Sequence, residues 1–560
     1  MTAPLAFPVT ARSLTESFEA ACARLDTFGF ADALSFRRLD VWSADAETQR
    51  LIGNRLGWMQ AVAFATSQVP RLRAFADSVK RDGFTDVVLL GMGGSSLAPA
   101  VLADVFGPAP GSPRFRVLDS VDPDAVRPAM VRAATTLFVL ASKSGSTIEP
   151  NAMAEEARRR VIGHGHESWG TRFVAITDED TALHRRAAAE TFRDVFVNPA
   201  DIGGRYSALS LFGMVPAALM GIDLDALLAG ARVMEAACRT PRAKDNPGLA
   251  LGAFIGAGVL AGRDKLTLQL PPELQSFGLW VEQLVAESTG KQGTGVVPIL
   301  GESRESKLGP DRLVVTISLG TPPSGDSGLD AGVPHMSLGM PNLEALGAEF
   351  FRWEVATATA GLLLGVNPFD EPNVQQAKSA TGALLDTYRQ RRELPSPEPH
   401  AVLGGIPVTL SGPARARLSG HPAQSFLRLA RGTDYVAVLA YLPPEDPAWD
   451  QALRRFRAGV TARTGCAATL GYGPRYLHST GQLHKGGPPS GVFLIVTAET
   501  HEDLAVPNAP FSFGVLEMAQ AHGDFTSLER TGRRVMLARL PRRDVGMLQQ
   551  FCDELLAGEW

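Results

Sequence analysis

Cysteine is scarce in this chain, and the four present, Cys22, Cys238, Cys466 and Cys552, lie far apart without a CxxC pair. Neither a disulfide framework nor a thiolate metal site is expected, and the thiols read as buried groups in a reducing compartment. Long apolar runs are missing too: charge, proline or glycine interrupts each one before about 18 residues, so no membrane span is expected. The opening MTAPLAFPVTARSLTESFEA lacks a basic start followed by a long apolar core, which points to a cytoplasmic protein. Nor is positive charge in excess. With 54 Lys and Arg against 59 Asp and Glu, the net charge of -5 leaves no footprint for non-specific nucleic-acid binding. A small anionic ligand would need a local basic pocket.

What is present is the composition of a folded protein, 45% apolar and 20% charged over 560 residues, long enough for two or more hydrophobic cores. Residues 1–75 read as helical, with amphipathic patterns from Ser13 to Leu25 and again from Asn54 onward. From about residue 80 apolar strands alternate with Gly- or Ser-rich loops and helices, at 86–90, 115–119, 136–142, 172–178 and 194–198. That rhythm predicts an α/β fold with a mostly parallel sheet, assigned to 76–248. A second α/β unit over 249–395 has strands at 265–270 and 312–320 and helices at 343–364 and 373–389. An α/β C-terminal portion occupies 396–560, and the Pro- and Gly-rich stretch 391–420 is expected to be loop or boundary.

Six segments carry chemistry. In VVLLGMGGSSLAP a strand runs into Gly91, Gly93, Gly94, Ser95 and Ser96, where missing side chains let backbone N–H groups approach a ligand. The spacing is not a dinucleotide fingerprint, so no cofactor is implied. TLFVLASKSGSTIEP gathers the hydroxyls of Ser142, Ser144, Ser146 and Thr147 around Lys143 at a helix start, a pattern suited to a phosphate with Lys143 as point charge. In NPADIGGRYSALS the guanidinium of Arg205 follows two glycines and suits an anionic intermediate. On a helix Gln283 and Glu287 share one face, and a partly desolvated carboxylate near the helix end makes a better base than an exposed one. Glu282 is the rival and is expected to point outward into solvent. NPFDEPNVQQAK leads into a helix bearing Lys378, and the segment 472–491 brings together Arg475, His478, Gln482, His484 and Lys485. His478 and His484 have no metal-ligand spacing, so no metal is expected. The other eight, His164, His166, His184, His335, His400, His421, His501 and His522, are expected at the surface.

GMGGSSLAP, ASKSGSTIEP, DIGGRYSALS, QLVAESTGK and NPFDEPNVQQAK together resemble the signature loops of the phosphoglucose isomerase (glucose-6-phosphate isomerase) family, in the same order over about residues 80–380. NRLGW, LGAEFFRWE and YLHSTGQLHKGG are similar to the isomerase half of bacterial bifunctional transaldolase/phosphoglucose isomerases. The residues before the first glycine loop are too few for a transaldolase barrel of about 250 residues.

The resemblance implies two SIS-type three-layer α/β/α sandwich subdomains with mostly parallel sheets, beside the helical N-terminal segment and the α/β C-terminal portion. It implies a homodimer, a sugar phosphate as substrate, and interconversion of glucose 6-phosphate and fructose 6-phosphate without a cofactor. It places Gly94, Ser95, Ser142, Lys143, Ser144, Thr147 and Gln283 in substrate binding, Arg205 at the enediolate, Glu287 as the base and Lys378 in ring opening. Two departures stand out. Glu371 occupies a position where the family commonly has Gln, and the family's GxxxQH loop is absent. His484, with His478 second, is the expected substitute for the ring-opening histidine. Another sugar phosphate such as mannose 6-phosphate, or a non-catalytic sensor of sugar phosphates, stays open at this point.

Overall fold

Short apolar runs closed by Gly, Ser or Asp become parallel strands buried on both faces, and the loops that close them gather at one end of the sheet. The structure, a computed structural model, describes residues 9–10, 14–302, 307–320 and 332–558. The first strand, β1 (Val9–Thr10), is a two-residue edge piece. The first sheet comprises β2 (Asp86–Leu90), β3 (Arg114–Leu118), β4 (Thr136–Ala141), β5 (Phe173–Asp178) and β6 (Asp194–Asn198), in the order β3-β2-β4-β5-β6 and parallel throughout. Because the chain leaves β3 and crosses β2 to reach β4, the strand order reverses beside β2, and a crevice opens where the glycine and hydroxyl loops emerge.

The second sheet is built from β7 (Lys265–Gln269), β8 (Val297–Ile299), β9 (Arg312–Leu319) and β10 (His335–Met340), with β1 antiparallel on its edge. The third holds β11 (Ala401–Leu403), β12 (Ile406–Leu410), β13 (Tyr435–Tyr441), β14 (Ala467–Tyr472), β15 (Gly491–Ala498) and β16 (Arg534–Leu540). There β13 to β16 run parallel, and the β11–β12 hairpin pairs antiparallel with β16. The fold is α/β with mostly parallel sheets, as the sequence pattern predicts. Among the described residues no helix is long and apolar enough to cross a membrane.

Several elements differ from the sequence reading. The stretch 391–420 is not only loop: it contributes β11, β12 and the helix Gly412–Leu418, because Ile406, Val408 and Leu410 alternate inward onto β16. The helices Leu224–Ala237 and Pro247–Leu260 and the strands β8 and β10 fall outside that reading. Pro247–Leu260 is apolar all round, so it has no amphipathic stripe to recognise. Its Gly248, Gly252 and Gly256 pack on Val355, Thr359 and Leu363 of the helix Leu346–Leu364, and a Cβ at Gly252 would lie 2.4 Å from the Thr359 Cβ. The expected boundary at residue 75 falls inside the helix Ala61–Arg81, whose Leu72, Phe75 and Val79 share one continuous core with both of the first two sheets. His335 and His522 are buried rather than at the surface, His335 with Nε2 2.9 Å from Thr316 Oγ1 and His522 with Nδ1 3.1 Å from the Pro395 carbonyl.

Candidate active site

The hydroxyl loop leaves β4 at Ala141 and enters the helix Ile148–Gly163. Gly145 takes a φ of 69°, and a Cβ there would strike the backbone N of Leu183 at 2.6 Å, so glycine is required. Ser142 Oγ accepts from the Gly145 N–H at 3.1 Å and lies 3.2 Å from Thr147 Oγ1, while Ser144 and Ser146 Oγ are 3.0 Å apart. Thr147 is the N-cap residue, yet its side chain caps nothing. The Ile148 N–H at the helix start thus lies beside the solvent-open hydroxyls of Ser144 and Ser146, an arrangement that favours a phosphate. Lys143 departs from the expectation. Its ammonium is ion-paired with Asp178 and donates to the Ala200 carbonyl at 2.8 Å, so its charge is matched within the protein.

The glycine loop is where the other parts meet. A Cβ at Gly93 would lie 2.7 Å from the His478 carbonyl oxygen and 2.9 Å from Gln283 Nε2; one at Gly94 would lie 2.1 Å from the Gly204 carbonyl oxygen. Ser95 closes the turn and is nearly buried. These bare backbones bring the Arg205 turn, the helix Phe277–Thr289 and the segment after β14 to one place.

There Arg205, only 5% exposed, commits most of its guanidinium donors to the protein. Nε donates to Ser288 Oγ at 2.8 Å, Nη2 to the carbonyls of Pro368 (2.9 Å) and Asp370 (2.8 Å), and Nη1 to Glu371 Oε2 at 3.0 Å. Nη1 is also 3.6 Å from Glu287 Oε1. Glu371 therefore contributes an anion that helps fix Arg205, which an amide could not do as a charge. Gln283 Nε2 donates to Glu287 Oε2 at 3.1 Å and to the His478 carbonyl at 2.7 Å. Burial pushes the Glu287 carboxyl up, Arg205 draws it down and Glu371 raises it again, leaving it above the ordinary carboxylate range. A carboxylate raised in this way accepts a proton more readily than an ordinary one.

The two histidines separate. His478 Nε2 is 2.8 Å from Glu149 Oε1, and Glu149 also accepts from Gln520 Nε2 at 2.6 Å. Burial alone would raise the Glu149 carboxyl; His478 and the hydrogen bonds reverse that and hold it low. His484 instead sits in an aromatic nest, with its ring 5.1 Å from Phe493 and 6.0 Å from Tyr476, and no partner for Nδ1 among the described residues. Burial drives its pKa well below the usual value, so it stays neutral. The short helix Gly481–Gly486 turns His484 into the aromatic core of the third sheet, while His478 faces the Glu149 carboxylate.

Lys378 is exposed on the helix Val374–Arg391 and makes no ion pair among the described residues. Glu282 is buried, not solvated: the helix Phe277–Thr289 is enclosed on all sides, and burial pushes this carboxyl up to about 8 against the pull of Arg475. Sequence reasoning missed the roles of Glu149, Ser288, Gln520 and Lys291. Lys291 holds the Asn367 carbonyl and Asp370 Oδ1 (2.7 Å), with burial and Arg205 pushing its pKa down to about 8. A lysine closing QLVAESTGK was the available signal for it; nothing local marks Gln520.

A profile of the phosphoglucose isomerase family matches residues 70–298. The glucose-6-phosphate isomerase of Citrifermentans bemidjiense is 30% identical over 438 residues, covering 66% of this chain and 81% of that protein. The chain belongs to the glucose-6-phosphate isomerase family. The glucose-6-phosphate isomerase of Prochlorococcus marinus subsp. pastoris is 28% identical over 362 residues, 56% of this chain and 68% of its own length. Among solved structures, a hypothetical protein from Thermus thermophilus superposes with a TM-score of 0.56 at 26% identity, covering 68% of this chain and 99% of that one. The family profile embraces the glycine loop, the hydroxyl loop, Arg205 and Glu287; the residues supplied by the third sheet lie beyond it.

Proposed function

We propose that the protein is an aldose–ketose isomerase that interconverts glucose 6-phosphate and fructose 6-phosphate through a cis-enediolate. The observation that carries this reading is the pairing of a desolvated carboxylate, Glu287, with an anchored guanidinium, Arg205, at 3.6 Å beside a hydroxyl-rich helix start. The phosphate is held by Ser142, Ser144, Thr147 and the Ile148 N–H, and its binding energy orients carbons remote from it. His478, oriented by Glu149, exchanges the proton that opens the ring. Glu287 takes the proton from C2 and returns it to C1, and Gln283 holds the carboxylate in place. The charge that develops on the enediolate oxygens is met by Arg205, which needs no reorganisation because its other donors are already satisfied.

Glu287→Gln is expected to leave sugar-phosphate binding intact and lower turnover by about 10³-fold, the usual worth of a positioned base. Steady-state rates together with exchange of the transferred hydrogen into D₂O check this; turnover within tenfold of the parent would overturn the assignment. Parallel assays with mannose 6-phosphate define the specificity.

A further inference from the structure

Beside the third sheet lies a cavity of about 440 Å³ that none of the active-site residues line. Arg417 comes to it from the end of the helix Gly412–Leu418, Arg428 from the turn Ala423–Leu429, Arg431 from the loop before β13, and Arg534 from the start of β16. The single carboxylate there, Asp434, is already committed: Arg534 donates to it at 2.8 and 3.2 Å and also grips the carbonyls of Leu429 and Pro489. Arg431 spends only Nε, on the Arg428 carbonyl at 3.3 Å. The guanidinium groups of Arg417 and Arg428 meet no acceptor among the described residues. With Asp434 cancelling Arg534, three positive charges face one cavity in a chain whose net charge is -5.

Like charges held together repel unless an anion is shared between them. Guanidinium forks match phosphoryl oxygens in pairs. Their three positive charges exceed the roughly −1.5 to −2 of one phosphate group, and the volume suits a mononucleotide-sized ligand. Leu418, Leu429 and Pro489 supply an apolar wall for the uncharged part of such a molecule. We infer that this cavity is a second ligand site, for a small polyphosphate such as a nucleoside di- or triphosphate. Its wall adjoins the catalytic segment. Arg533 donates to the carbonyls of Lys485 and Gly487, and Arg534 to that of Pro489, in the same stretch of chain that carries His478.

The test is calorimetric titration of the full chain with ATP, with tripolyphosphate and with inorganic phosphate, at low and raised salt. Expected is one site for the polyphosphates, at least about tenfold tighter than inorganic phosphate and weakened by salt. Tighter binding of ATP than of tripolyphosphate marks an organic ligand, equal binding a bare polyphosphate chain. The double substitution Arg417→Ser with Arg428→Ser, at side chains without structural partners, is expected to weaken binding at least about tenfold. Ser144→Ala, in the sugar-phosphate loop, is expected to leave it unchanged. No saturable binding below about 1 mM, binding within twofold of the parent in the double variant, or binding lost with Ser144→Ala would each overturn the proposal.

Discussion

At the scale of single residues, surroundings rather than residue type separate one histidine from another. His478 and His484 lie six residues apart in the same Gly- and Ser-rich segment, yet one meets a carboxylate and the other an aromatic nest. His478→Asn is expected to reduce turnover of cyclic glucose 6-phosphate by about 10²-fold. His484→Phe, which removes an unpartnered ring nitrogen, should leave turnover near the parent value; steady-state assays of both variants decide. Glu282 gives a stability test. Its folded-state pKa of about 8 is raised above the ordinary value of 4.5, so the native state favours the protonated form. Stability from this group is full below about 4.5 and is lost as pH rises towards 8, by about 1.4 kcal/mol per pH unit. Glu282→Gln removes that slope. Its melting temperature relative to the parent should rise between pH 5 and pH 8 and level off above, measured by thermal unfolding in matched buffers.

At the scale of elements, close backbone approach does the assembly. Gly94 lies against the Gly204 carbonyl, while a Cβ added at Gly204 meets nothing within 4 Å. Gly94→Ala must therefore push the Arg205 turn away, with an expected loss of about 1–3 kcal/mol of stability and of most activity. Gly204→Ala should be tolerated in both. Melting temperature and kcat/KM for the pair measure the difference. The aromatic support of this turn is equally local: Trp58 stacks on Tyr206 at 5.2 Å, and Tyr206 and Trp42 both pack on Phe369, which precedes the Asp370–Glu371 turn. Trp42 and Trp58 of the N-terminal segment thus pack behind the Arg205 turn.

At the scale of the molecule, the site depends on all parts of the chain. Glu149 belongs to the first sheet's hydroxyl-loop helix, His478 to the loop after β14 and Gln520 to the helix Phe513–Arg530. Further out, Arg543 clasps Asp122 with Nη2 to Oδ2 at 2.8 Å, and Arg475 clasps Asp119 through two bonds of 2.7 Å, tying the third sheet to the first. Gln520→Met should keep the helix packing but strip one hydrogen bond from the buried Glu149. The carboxyl then ionises less readily and holds His478 less firmly, with an expected drop of about tenfold in kcat and little change in KM. Steady-state kinetics with near-unchanged far-UV circular dichroism is the check.

The strands β2, β4, β5 and β6 were legible from their apolar runs, as were the glycine and hydroxyl loops, Arg205 and the Gln283–Glu287 face, because period and spacing are local properties of the chain. The helix Pro247–Leu260, the hairpin β11–β12 and the burial of Glu282 were not, since apolar composition on every side carries no period and a charged residue does not announce its enclosure. The chain by itself set out the candidate groups: the hydroxyls of 142–147, the Arg205 guanidinium and the Glu287 carboxylate. Only the tertiary structure decided that Glu149 meets His478, that Lys143 is spent on Asp178, and that Glu371 anchors Arg205. Each of those is a contact between residues distant in sequence, set by how the sheets pack.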